Sequence, residues 1–140
     1  VVRRIVVIII EIWYNERGEI MKKEIGIYNG ENLYLTIASY RNNNRIYLAV
    51  ETEEDLYADI TINLSDMMIP DDNYIFVNGD MTKELRAFLE KNKIIGETIE
   101  TYQYNMGRYD MVEVDFDLLK EYDPEGFKDY NKNKDNDMEI

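Results

Sequence analysis

From Lys22 onward, apolar side chains recur at every second position in short runs separated by turn residues. That period is the mark of half-buried strands. A strand is predicted over 24–28. It runs into Asn29-Gly30, a pair that accepts the left-handed backbone of a two-residue hairpin turn. Leu33, Leu35 and Ile37 then alternate with Tyr34, Thr36 and Ala38, and Arg41-Asn42-Asn43-Asn44 makes the next turn. Ile46, Leu48 and Val50 form the following inward set, and Leu56, Ala58, Ile60, Ile62 and Leu64 the one after. The pattern predicts an antiparallel meander. Pro70-Asp71-Asp72-Asn73 interrupts it before one more strand over 74–78.

The period then changes. Met81, Leu85, Phe88 and Leu89 fall at i, i+4, i+7 and i+8, which predicts an amphipathic helix with Asp80 as N-cap. Lys91 and Lys93 suit its C-terminal dipole, and Gly96 is placed to stop it. Residues 97–104 and 109–116 read as a closing hairpin through Asn105-Met106-Gly107-Arg108. In its second strand Val112, Val114 and Phe116 point one way and Glu113, Asp115 and Asp117 the other. Residues 118–122 add a helical turn before Pro124, and the polar composition of 128–140 predicts a disordered tail. The fold class expected is α+β: an antiparallel β-sheet meander with one amphipathic helix packed on it and a closing β-hairpin, forming a single domain over 21–127.

Residues 1–20 carry a continuous apolar run over 6–10, too short for a membrane span and without a signal-peptide cleavage site. Glu16-Arg17-Gly18-Glu19-Ile20-Met21 back-translates to a purine-rich stretch just ahead of a start codon. The segment therefore reads either as an extra buried strand or as translated upstream sequence, with Met21 the expected natural start.

Composition narrows the function. The chain of 140 residues has no Cys and no His, which removes thiol chemistry, the commonest general base and the usual zinc ligand. The absence of Cys fits a reducing, cytoplasmic setting. A net charge of -13 argues against binding a phosphate backbone directly, and nothing predicts membrane association. Ser39 and Ser65 are the only serines, neither lies in a nucleophile elbow, and no phosphate-binding loop occurs. The expectation is a protein without enzymatic activity and without a cofactor or metal.

The charge is uneven. Residues 46–82 hold nine acidic side chains and no Lys or Arg, and residues 96–127 hold nine against Arg108 and Lys120. A strong one-sign field selects basic partners. The candidate protein-binding surface is therefore Glu51, Glu53, Glu54, Asp55 and Asp59 together with Glu113, Asp115 and Asp117. The plainer reading is a solvated acidic face that keeps the protein soluble. Glu113, Asp115 and Asp117 with Asp110 nearby could in principle hold a hard cation. Paired carboxylates also serve glycoside hydrolysis, so a small carboxylate-based hydrolase is the competitor from another class. Tyr34, Tyr47 and Tyr57 fall on the non-core face of three consecutive strands and form a candidate tyrosine stripe for a partner, or simply cross-strand packing. A homodimer remains open.

From Tyr57 to Val114 the order of elements resembles a known family. A strand ends in Thr61-Ile62-Asn63-Leu64, Ile75-Phe76-Val77-Asn78 leads into a helix ending Phe88-Leu89-Glu90-Lys91-Asn92, and Gly96-Glu97-Thr98 opens a closing hairpin. This is similar to the domain-of-unknown-function family numbered forty-three thirteen, small proteins of mobile elements and phages of low-GC gut bacteria. The resemblance implies a cytoplasmic accessory protein and supplies no catalytic residue or cofactor. The function expected is an acidic, non-enzymatic module for a basic protein partner; the alternative is an anti-restriction or anti-defence inhibitor that imitates DNA in a basic groove.

Overall fold

A computed structural model describes residues 3–7, 10–14 and 20–138, with side chains over 22–136. The N-terminal strands β1 (Arg3–Val7), β2 (Ile10–Tyr14) and β3 (Ile20–Met21) pair antiparallel in a three-stranded sheet. Residues 15–19, which motivate the start-site expectation, lie outside the described residues.

The meander forms as the alternation predicts. Strands β4 (Glu24–Tyr28), β5 (Glu31–Ser39), β6 (Ile46–Glu51) and β7 (Leu56–Asp59) make a four-stranded antiparallel sheet in chain order. Asn29 and Gly30 turn the first hairpin with φ of 50° and 80°, the left-handed conformations that pair accepts. Leu33, Leu35, Ile37, Ile46, Leu48 and Val50 are all buried on one face.

The strand expected over 56–64 is divided. Val50 faces Ala58 but Glu51 faces Leu56, so Tyr57 is an extra residue in a β-bulge. The bulge resets the alternation, and Leu56, expected inside, is exposed. At Ile60 the chain changes sheets. Its N–H donates to Leu48 O at 2.8 Å, and its carbonyl accepts from Asn78 N at 2.8 Å. Beyond it β8 (Thr61–Ile62) joins β9 (Tyr74–Val77), β11 (Gly107–Glu113) and β10 (Thr98–Tyr104) in a second four-stranded sheet, ordered β10-β11-β9-β8. Thr61, buried, compensates for the break: its hydroxyl accepts from Leu48 N at 3.2 Å. The α+β class and its antiparallel sheets hold, but the meander supplies only one of the two four-stranded sheets.

Helix α1 (Lys83–Lys91) buries Leu85 and Leu89 in the core shared by both sheets. Its N-cap is Thr82, whose hydroxyl accepts from Leu85 N at 3.2 Å, and not Asp80, which lies in the preceding turn. It ends before Gly96. Lys93 takes the left-handed conformation at φ 62°, and Ile94 N and Lys93 N close onto Leu89 O and Glu90 O, a Schellman motif made without glycine. Gly96 serves a different need, because its N–H donates to Glu113 O at 3.0 Å. A Cβ there would stand 2.9 Å from the same oxygen.

Two more helices follow where a single turn and a disordered tail were expected. Helix α2 (Phe116–Tyr122) buries Leu119 and Tyr122, and α3 (Pro124–Met138) lies along β5. The reason is Asp123. Among the described residues no strand pairs with β5 on its outer side beyond Tyr34, since β4 reaches only as far as Glu24↔Tyr34. Asp123 fills that edge. One carboxylate oxygen accepts from Ile37 N at 2.8 Å, and the other accepts from Gly126 N at 3.2 Å, capping α3 with Pro124 at its first position. Lys22 Nζ stands 3.6 Å from the carboxylate and also donates to Leu35 O at 3.1 Å. Gly126 lets the chain approach, as a Cβ there would collide with Asp123 Oδ2 and Ile37 O. Phe127 and Tyr130 then pack edge-on against Phe116, the three ring centroids 5.4 to 5.8 Å apart. Tyr130 is 1% exposed, so the polar tail carries a core residue.

Two stability measurements check this account. Asp123→Ala leaves the buried Ile37 N–H and the half-buried Gly126 N–H without their acceptor and should cost about 2–4 kcal/mol in urea unfolding. Tyr130 has a hydroxyl with no partner among the described residues, and burial pushes its phenol up to about 12. Tyr130→Phe should therefore be neutral or stabilising by about 1 kcal/mol, while Tyr130→Ala should cost about 3–5 kcal/mol. A disordered tail would make Tyr130→Ala silent.

Candidate functional site: an acidic cleft

The strand expected over 109–116 stops at Glu113, because Val114 N donates to Asn73 O at 2.8 Å and Asp115 turns the chain into α2. Asp115 is the N-cap of that helix, its carboxylate accepting from Asp117 N at 3.0 Å and Leu118 N at 3.4 Å. Glu113, Asp115 and Asp117 thus do not share a strand face. They line one wall of a cleft of about 1220 Å³, open to solvent. The end of α1 with its following loop, the entry to β10 and residues 71–73 form the other walls.

Seven carboxylates line the cleft against Lys91 and Lys93. Three have basic neighbours: Glu90 with Arg86 at 3.1 Å, Asp117 with Lys120 at 3.2 Å, and Asp72 with Lys134. Glu97, Glu113, Asp71 and Asp115 form no ion pair among the described residues. Among the described residues no group of three or more acidic side chains converges closely enough to hold a metal ion. What the arrangement offers chemically is an acidic concavity whose lining also includes the apolar side chains of Ile95, Ile99 and Phe116.

The other predicted residues lie elsewhere. Glu53, Glu54 and Asp55 are exposed on the β6–β7 turn, which Thr52 shapes by accepting from Glu54 N and Asp55 N. Glu51 pairs with Lys22 at 2.9 Å. Asp59 accepts from Tyr47 OH at 2.5 Å, and burial first, then this bond, raises the Tyr47 phenol above its ordinary value. The tyrosines are not brought into one stripe. Tyr34 donates to Glu53 at 3.3 Å, Tyr47 meets Tyr40 edge-on at 5.5 Å, and Tyr57, turned by the bulge, meets Tyr28 at 6.1 Å. The acidic residues expected to act as a unit divide between the exposed β6–β7 turn and the cleft, whose lining includes none of residues 51–59.

Sequence reasoning missed Asp71, Asp72, Glu90 and Glu97 on the cleft walls. They come from three segments, and no local spacing announces a tertiary concavity. One signal was available for the wall at Asp115: Asp followed by Phe116 and Leu119 is an N-cap with a helical pair.

The α1–β10 wall is braced by Arg86, which donates to Asp110 at 2.6 Å and to Thr98 Oγ1 at 2.7 Å. The hydrogen bond from Thr101, then that from Arg86, holds the Asp110 carboxyl below its ordinary value of 3.8. A depressed folded-state value contributes stability that is complete above the unfolded value and is lost as pH falls through the folded one. Arg86→Ala should raise the Asp110 value toward 3.8 in a carboxyl NMR titration and move the acid-unfolding midpoint to higher pH. An unmoved Asp110 titration would show that the brace is not formed in solution.

Among the described residues no helix is long and apolar enough to cross a membrane. No curated protein and no solved structure matches the chain. The family profile described as Domain of unknown function (DUF4313) matches residues 34–134, from within β5 into α3 and across every wall of the cleft, and the chain belongs to that family.

Proposed function

We propose that the chain is a non-enzymatic interaction module that binds a basic protein partner through the acidic cleft, in the cytoplasm. The observation that carries this reading is the lining of the cleft, seven carboxylates against two lysines around an open concavity. A field of one sign in a concave site raises the local concentration of the opposite charge and speeds encounter. Such walls suit Lys and Arg side chains, whose stems find the apolar lining while their heads meet carboxylates. The chain has no His or Cys to act as base or thiol nucleophile, and Ser39 accepts from Asn133 with no base beside it. These features favour recognition over catalysis. The carboxylates stand at a turn, a strand end and a helix cap, so they offer a pocket for basic side chains rather than a regular row imitating phosphates.

Charge reversal separates the two acidic regions. Asp115 is left intact because it caps α2. Partner capture from the source organism's lysate, followed by titration with the purified partner, should show Glu97→Lys with Glu113→Lys weakening binding by at least about tenfold, or about 1.4 kcal/mol. Reversal of Glu53, Glu54 and Asp55 should leave it within about twofold, and raised salt should weaken the wild type, since exposed charges are screened. Undiminished binding by the cleft variant would remove the cleft as the site.

A further inference from the structure

Strand β10 is the outermost strand of its sheet, and its outer edge pairs with no other strand among the described residues. Residues 98–101 and Gln103 are exposed. Protein edges of this length are ordinarily blunted by charged side chains, Pro or bulges. On β10 the charge of Glu100 and a bulge are confined to its first three residues, leaving 101–104 without either. Neither Lys nor Pro occurs in Thr-Ile-Glu-Thr-Tyr-Gln-Tyr, and only that bulge, between Thr98 and Glu100, interrupts the register. The two-residue turn makes Tyr104 and Gly107 a hydrogen-bonded pair, so alternation directs Tyr102 inward as well. It follows that Thr101 and Gln103 turn their N–H and C=O groups away from β11, toward the open edge.

The edge and the cleft are continuous. Glu97 and Ile99, at the start of β10, also line the cleft. The open backbone groups of Thr101 and Gln103 therefore lie four and six residues along the chain from Glu97, within the span of one extended peptide. We propose that the open edge of β10 takes up an extended segment of the basic partner by strand addition, its Lys and Arg side chains reaching the adjoining carboxylates; this rests on the cleft's being the binding site. Charge complementarity selects that occupant over a second copy of the chain, which would bring its own net -13 and its own Glu97 and Glu100 to the same edge.

Alternating Lys and Thr peptides of ten residues test this with the full chain. One is unmodified, and one carries N-methyl groups on every second backbone nitrogen, which keeps the charge and removes the ladder donors. The proposal expects the unmodified peptide to bind and the methylated one to bind about tenfold more weakly, the loss of one or two backbone hydrogen bonds. Gln103→Pro removes an edge donor at a position where an edge strand tolerates Pro, and should weaken only the unmodified peptide. Equal binding of both peptides overturns strand addition while leaving the acidic cleft in place. Binding of neither, at low salt, overturns the basic-partner reading and this one with it. A dimer of the protein alone that Gln103→Pro converts to monomer overturns the proposal in favour of self-pairing.

Discussion

A carboxylate on an otherwise open sheet edge organises the C-terminal third of the molecule. β5 outruns β4, so the backbone groups of Leu35 and Ile37 would face solvent or apolar helix with no partner. Asp123 and Lys22 supply the acceptor and donor that a neighbouring strand would have given. A buried carboxylate is costly unless its oxygens are bonded, and here both are, one to the sheet edge and one to the first turn of α3. One residue therefore ends α2, begins α3 and closes β5. With α3 fixed, Tyr130 reaches the core and Lys134 reaches Asp72, which holds residues 71–73 against the helix and sets one wall of the cleft.

The cleft is a consequence of how the remaining elements stop. The Schellman turn after α1 brings Gly96 beneath the carbonyl of Glu113, so the entry to β10 and the exit of β11 are drawn together. Asp115 then redirects the chain before a further strand residue could cover the gap. Each of these terminations is stabilised by local hydrogen bonds that involve no partner molecule. The acidic side chains they leave around the opening are what a second protein would meet.

Much of this was legible in the sequence. Period two placed β4 to β6 and their buried faces, and Asn29-Gly30 marked its turn, because strand faces and tight turns are written in adjacent residues. The α1 face was legible for the same reason, although its N-cap fell on Thr82 instead of Asp80 and it stopped at Asn92 and the left-handed Lys93 instead of at Gly96. The division at Ile60 was not, since Leu56 to Leu64 alternates without interruption and only tertiary pairing shows the bulge and the change of sheet. The tail was misread from composition: Asp123-Pro124-Glu125-Gly126 with Phe127 and Tyr130 behind it is a helix start with a buried face, diluted by polar neighbours. Of the acidic residues singled out, Glu113, Asp115 and Asp117 do gather at one place, but as a strand end and a helix start, and their cleft partners are distant in the chain.

The functional account rests on the cleft and the edge of β10 being where a basic partner sits. Its most direct test is a hydrogen-exchange footprint of the full chain with and without the captured partner. Protection along β10 and the first turn of α2, with none at residues 53–55, is the result the account predicts. Protection confined to the β6–β7 turn, or spread over Tyr34 and Tyr47 with β10 unchanged, would contradict it.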